Sequence, residues 1–466
     1  MATPILFASP PAATLFKLPP HTDPRPIPLP HFDYPFTIPD NWYTAALEPS
    51  IPITIALVYA VTAKALNAYN KSTGKKPWAI SKTRAFHVFV ILHNVFLAVY
   101  SAWTWLGMLR AFRNSVVNPN GPDGWAGTVD SVCKLHGSPG MANSQTYNPQ
   151  RGAWESLAGS FEGAPSRVER GRLWNEGLAF YGWIFYISKF YEVLDTLIIL
   201  AKGKFSSTLQ TYHHAGAMMA MWAGMRYMAS PVWIFVLFNS GIHALMYTYY
   251  TLTAFNIRVP SFIKRTLTSM QISQFVIGAA VAIVHSFVSY IVPVTKQVAV
   301  AETVSVVDAT APAAGLVGSI KSALINAAEA TGARAIVSDS AAQEAAKFIT
   351  VFEKADCIYT AGQTFAIWLN VLYLAPLTYL FVSFFIASYL RRSKAETFRG
   401  KTAEDRRRSN VVLAEKASWD AARGLEREMY GESKEGVIVE DSDESSGSQQ
   451  SRQRVTRSGS AKTSGH

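Results

Sequence analysis

The chain has 466 residues, of which 49% are hydrophobic, 12% aromatic and only 16% charged, and its formal net charge is +11. Such a length could hold several soluble domains or one sizeable membrane bundle, and this apolar balance favours the bundle. No stretch interleaves basic and aromatic residues as a nucleic-acid groove would, so the positive charge reads as a topology signal with some attraction to anionic lipid.

The first 50 residues are rich in proline without a compact apolar core, so they read as an extended terminus rather than a signal peptide. Seven apolar runs follow, at roughly 51–69, 85–109, 177–201, 206–228, 231–253, 267–294 and 362–390. Each is near or above the ~20 residues that span a ~30 Å hydrocarbon core. The run at 206–228 is the weakest, because it holds Gln210, His213 and His214. The expected fold class is an all-α membrane protein, a bundle of seven transmembrane helices spanning 51–392. Residues 297–355 form an Ala-rich insert before the last run, with stretches such as SIKSALINAAEA that predict helix but too few large apolar residues for another span. The tail at 393–466, containing EDSDESSGSQQ, has the composition of a largely disordered segment.

Lysine and arginine near the helix ends set the orientation. The loop after the first run carries Lys71, Lys75, Lys76, Lys82 and Arg84, and the loop after the third has Lys202 and Lys204. Arg258, Lys264 and Arg265 follow the fifth run, and Arg391, Arg392, Lys394 and Arg399 follow the last. These segments alternate with others where positive charge is sparser or balanced, which predicts a cytosolic C-terminus and a lumenal or external N-terminus. Cys133 and Cys357 then both fall on the non-cytosolic side, where disulfides persist. Two readings stay open there, a Cys133–Cys357 bridge or two unrelated thiols.

The membrane runs carry polar stripes. In SKFYEVLDT, Lys189, Glu192, Asp195 and Thr196 fall within an arc of about 120° on a helix, so they can turn inward together. Each ionisable group at a helix centre costs about 2.5–3.5 kcal/mol on insertion scales, and a plain ion-paired helix contact would account for three of them. LQTYHHAGAMM sets Gln210 angularly between His213 and His214, an unusual pairing where every imidazole nitrogen needs a partner. FNSGIHALMYTYY aligns Asn239, His243, Met246 and Tyr250, with Tyr247 beside them, and TLTSMQISQF places Thr268, Gln271 and Gln274 one turn apart. Asn94, after His93, adds one more intramembrane amide. Five of the seven runs thus carry an inward polar stripe, which describes a lined cavity open to the cytosol with histidine as its titrating element. No GxSxG and no cysteine on that side competes for a nucleophile's role.

These residues carry a resemblance. KFYEVLDT resembles the KxxExxDT box of the ELO family of very-long-chain fatty acid elongases, TYHH the end of its HxxHH box, NSGIHALMYTYY its NxxxHxxMYxYY box and TSMQISQF its TxxQxxQF box. The order is the family's, and the similarity runs from about residue 50 to 392. Gln210 replaces the first histidine of HxxHH, a QxxHH variant, and the 297–355 insert is longer than the family's loop.

The resemblance implies a helical bundle enclosing an acyl-chain tunnel in the endoplasmic reticulum membrane. It implies condensation of malonyl-CoA with a long-chain acyl-CoA to give 3-oxoacyl-CoA, CoA and CO2, without metal or redox cofactor. His213 is the expected nucleophile, with His214 as the alternative. His243 is expected to polarise the thioester, held by Asn239, and Gln210 to face His213. Lys189, Glu192, Asp195, Thr196, Tyr247, Tyr250, Gln271, Gln274 and Asn94 are expected to line the substrate site, and Lys204, Lys264 and Arg265 to meet CoA phosphates. The implied partners are acyl-CoA, malonyl-CoA, membrane lipid, the reductases and dehydratase of an elongation cycle, and a second copy of the chain. Two rivals are a seven-helix receptor or transporter and a di-iron desaturase. The latter needs about eight histidines in boxes, whereas four of the ten here (His21, His31, His136 and His466) lie outside the runs.

Overall fold

Helix starts are written locally at two of the polar loops. The Thr83 hydroxyl accepts from the Phe86 amide, capping α3 (Arg84–Ser115), and the Ser207 hydroxyl accepts from the Gln210 amide, capping α7 (Thr208–Arg226). The computed structural model describes residues 6–20, 34–148, 151–156, 164–257, 259–297 and 348–397. The other helices are α1 (Asp40–Ala46), α2 (Ser50–Ser72), α4 (Gly124–Cys133), α5 (Ala179–Tyr191), α6 (Val193–Ala201), α8 (Val232–Ala254), α9 (Ser261–His285) and α10 (Ala361–Thr397). Four are long and apolar enough to cross a membrane: α2, α3, α8 and, within α9, Thr266–His285. Their outer faces stay greasy, with Leu57, Val61, Leu92 and Val99 exposed, as expected where lipid is the neighbour.

The run at 177–201 is not one helix. Glu192 ends α5 and begins α6, with ψ at −13° rather than the helical value near −42°. The helix α3 lies along α8, where Gly241 permits close approach: a Cβ there would sit 2.9 Å from Trp105 Cδ1. α2 packs on α7 and α6, α5 on α3, α7 and α8, and α10 on both α7 and α9. Most of the large buried side chains gather where α3, α5, α7 and α8 meet, among them Met108, Phe180, Tyr186, Met225 and Val236.

Two small sheets cap one end of the helices. β1 (Leu6–Ala8), β5 (Val288–Gln297) and β6 (Phe348–Asp356) form an antiparallel sheet in the order β1-β5-β6. β2 (His136–Gly137), β3 (Ser144–Asn148) and β4 (Ala153–Ser156) form the other. Two sequence expectations are corrected here. The terminus is not simply extended, since it contributes β1 and α1. The run at 267–294 leaves the helix at His285 and continues as β5, because VSYIVPV is β-branched and alternating, with Tyr290, Val292 and Val294 buried on one face. The insert supplies strand β6 where it is described; residues 298–347, including the SIKSALINAAEA stretch expected to be helical, and the tail from 398 on lie outside the described residues.

At the same end, Cys133 at the close of α4 is disulfide-bonded to Cys357 after β6, across a sequence separation of 224 residues. A buried polar cluster surrounds it. Tyr290 donates to Asp130 Oδ1 at 2.7 Å, Arg172 pairs with Asp130 at 2.8 Å, and Lys134 Nζ donates to the Asp356 carbonyl at 2.7 Å. Burial pushes the Lys134 ammonium down to about 8, against the raising influence of Asp130 and Asp356.

Candidate functional site

A cavity of about 240 Å³ lies among α5, α7, α8, α9 and α10. Its walls are mostly apolar, with Phe185, Met221, Ile234, Phe238, Ile277 and Leu374 facing the space. The polar groups come together on one side. Lys189, on the last turn of α5, donates from Nζ to Glu192 Oε1 at 2.7 Å and to Asn239 Oδ1 at 3.2 Å. Its ammonium also lies 4.2 Å from the centroid of the Phe185 ring. Asn239 Nδ2 in turn donates to Gln274 Oε1 at 3.1 Å, so one chain of contacts links α5, α8 and α9. Glu192 accepts a second bond from Ser188 Oγ and stands 3.7 Å from His243 Nδ1.

The break at Glu192 matters for this geometry. The i to i+3 spacing already lets Lys189 and Glu192 meet, and the break leaves both carboxylate and ammonium against the cavity while the chain turns away. Asp195 and Thr196 therefore leave the stripe. Asp195 Oδ1 pairs with His93 Nε2 at 2.8 Å, Tyr247 donates to Asp195 Oδ2 at 2.6 Å, and the Thr196 hydroxyl meets Tyr59 OH at 2.9 Å. This second cluster ties α6 to α2, α3 and α8 and does not line the cavity.

His213 and His214 part company because neighbours on a helix differ by 100°. His213 lines the cavity, and its Nδ1 lies 2.7 Å from Tyr373 OH on α10. His214 instead packs edge-on against the Tyr59 ring of α2, centroids 6.1 Å apart. Gln210 is fully buried one turn earlier, where its Oε1 accepts from Ser206 Oγ at 3.3 Å and its Nε2 has no hydrogen-bond partner among the described residues. It does not line the cavity. Asn239, expected to hold His243, has its amide bonded instead to Lys189 and Gln274 across the helix interface.

The remaining expected site residues scatter. Gln271 Nε2 donates to Met246 Sδ at 3.0 Å, Tyr250 packs edge-on against the Tyr247 ring, and Asn94 is buried on α3; none of the three lines the cavity. Lys204 is exposed in the loop after α6, where its carbonyl accepts from Asn70 Nδ2 at 3.0 Å. The side chains of Lys264 and Arg265 lie outside the described residues. Sequence reasoning missed Tyr373, Asn370 and His93. Tyr373 and Asn370 line the cavity from α10, a run read only as apolar, and the one visible signal for His93 was its place beside Asn94.

The cavity thus offers two imidazoles, a buried ammonium–carboxylate pair and three amides within one space. That set can position a carbonyl, stabilise charge that develops on it, and take an acyl group on nitrogen.

Comparison with known proteins places these features. The family described as ELO, the GNS1/SUR4 family, matches residues 44–397. The chain is 36% identical over 109 residues to human "Very long chain fatty acid elongase 3", covering 23% of this chain and 40% of that protein. It is 34% identical over 118 residues to Drosophila melanogaster "Very long chain fatty acid elongase 6" (25% and 36%) and 30% identical over 129 residues to Trypanosoma brucei brucei "Fatty acid elongase 2" (27% and 48%). The aligned part spans less than half the length of each of these relatives. No solved structure matches. Since the family match runs from within α1 to the end of α10 and takes in every wall of the cavity, this chain belongs to the ELO family of multi-pass membrane proteins.

Proposed function

We propose that the chain is a fatty acid elongase, a 3-oxoacyl-CoA synthase that condenses malonyl-CoA with a long-chain acyl-CoA. The observation that carries this reading is His213 on the wall of a largely apolar cavity that also holds the Lys189–Glu192 pair and His243. The acyl chain occupies the apolar part and brings its thioester to His213. An imidazole nitrogen attacks the carbonyl, the oxyanion is met by donors in a dry site, and the C–S bond breaks to release CoA thiolate, which takes up a proton. The acyl group is left on nitrogen. Malonyl-CoA then loses CO2, and the carbon that keeps the electron pair attacks the acyl carbonyl. Departure of the imidazole yields 3-oxoacyl-CoA, so the sum is acyl-CoA plus malonyl-CoA plus a proton giving 3-oxoacyl-CoA, CoA and CO2. Lys189 and the amides of Asn239, Gln274 and Asn370 are donors on the wall of the same cavity.

The reading is tested by incubating purified protein with labelled malonyl-CoA and a panel of acyl-CoAs. Labelled 3-oxoacyl-CoA should form, with CO2 release that depends on acyl-CoA. Release that is the same with and without acyl-CoA, with no condensed product, would reject it. A receptor or transporter gains no support from a cavity so equipped for acyl transfer.

In the same reading the chain spans the endoplasmic reticulum membrane seven times, through α2, α3, the α5–α6 pair, α7, α8, α9 and α10. The end bearing β1, the disulfide and both sheets faces the lumen, where disulfides persist. The opposite end carries Lys71, Lys75, Lys76, Lys202 and Lys204 and faces the cytosol. A glycosylation acceptor placed in the first 40 residues should be modified and one placed in the tail should not; the reverse pattern sinks this orientation.

A further inference from the structure

We infer that Tyr373 is a positioning residue that fixes the tautomer of His213, so that Nε2 presents its lone pair to the cavity; the inference rests on the acyl-transfer reading above. The Tyr373 hydroxyl lies 2.7 Å from His213 Nδ1 and donates to the His213 carbonyl oxygen at 3.1 Å. A phenol has one proton. A carbonyl can only accept, so when the proton is given to it the contact with Nδ1 runs the other way, with Nδ1–H donating to the phenol oxygen, and both contacts of the hydroxyl are then hydrogen bonds. A neutral imidazole protonated on Nδ1 carries its lone pair on Nε2, and which nitrogen reacts is set by the bond the other one makes. His213 lines the cavity, so that lone pair belongs to the nitrogen free to attack.

Two features hold the tyrosine in place. Tyr212 donates to the Tyr373 carbonyl at 2.9 Å, so α7 and α10 are stitched in both directions by adjacent residues of α7. Gly216 completes the arrangement. A Cβ built there would lie 2.2 Å from Tyr373 Cδ2 and 2.3 Å from Cε2, so the ring can reach His213 only because residue 216 has no side chain. With the rings 22° from parallel, the imidazole is also held against rotation.

The test uses the full-length protein with acyl-CoA alone and follows the burst of free CoA. Tyr373→Phe keeps the ring and removes the hydroxyl, and should slow the burst by on the order of 10²-fold while leaving the KM for acyl-CoA within about twofold of the wild type. Gly216→Ala should reproduce that loss, and the double variant should lose no more than either single one. Nitrogen-15 spectra of labelled histidine supply a readout that a merely structural role would not move. In the wild type His213 should show a protonated Nδ1 and an unprotonated Nε2, and Tyr373→Phe should mix the two forms. A wild-type spectrum with the proton on Nε2, or a Tyr373→Phe enzyme with an unchanged burst, overturns the inference. A wild type that never releases CoA rejects the elongase reading instead, and the spectrum still decides the tautomer.

Discussion

Replacing His213 with alanine is expected to remove the CoA burst and to lower turnover by about 10³-fold or more, because deleting a nucleophile removes the step it opens. Incubating the wild type with acyl-CoA alone should leave an acylated peptide containing residues 210–214. The neighbouring histidine sharpens the test. His214 packs against Tyr59 rather than the cavity, so His214→Ala should lose packing and some stability but retain the burst and the modified peptide. The two substitutions are one residue apart and remove the same group, so a difference between them reports helix phase and not general damage. A His213→Ala enzyme that still releases CoA in a burst would show that another group takes the acyl chain.

Replacing Lys189 with methionine is expected to destabilise the protein by about 3–5 kcal/mol, the cost of leaving a buried carboxylate without its partner. Lys189 and Glu192 have side-chain exposures of 4% and 5%, so little solvent can take over when the ammonium is removed. Methionine fills nearly the same volume, and the loss is therefore electrostatic rather than a cavity. Asn239 Oδ1 loses its donor in the same change. The double variant Lys189→Met/Glu192→Gln should regain most of the stability, since burying a pair and then breaking it is costlier than never having the charges. Thermal denaturation in detergent, followed by tryptophan fluorescence, reads both effects. A Lys189→Met protein as stable as the wild type would mean that Glu192 reaches water or another cation.

The sequence by itself determined where, among the described residues, the four helices long and apolar enough to cross a membrane lie. Apolar runs of about 20 residues can only satisfy their backbone inside lipid as helices, and α2, α3, α8 and most of α9 follow from that rule alone. It also named residues of one cavity: the four polar boxes supplied Lys189, Glu192, His213, Asn239, His243 and Gln274, all of which line it. Local composition could not see the break at Glu192, because ψ at a single residue depends on what its side chain must reach. It could not see that 288–297 leaves the helix, because a β-strand needs its partner, and the partner β6 lies far along the chain, with Gln297 facing Phe348 and Ser289 facing Asp356.

Only the tertiary structure decided which polar residues share a space. Asp195, Thr196, Tyr247 and Gln271 have the same pattern as the cavity residues, yet their bonds run to His93, Tyr59, Asp195 and Met246. The choice between His213 and His214 is a matter of helix phase, fixed by what α2 and α10 bring to opposite sides of α7. Tyr373, 160 residues from His213, carries no mark of its role in a run of apolar neighbours. A hydrogen bond of that kind is invisible to any local window, because its two partners meet only after α7 and α10 have packed and Gly216 has let the ring through.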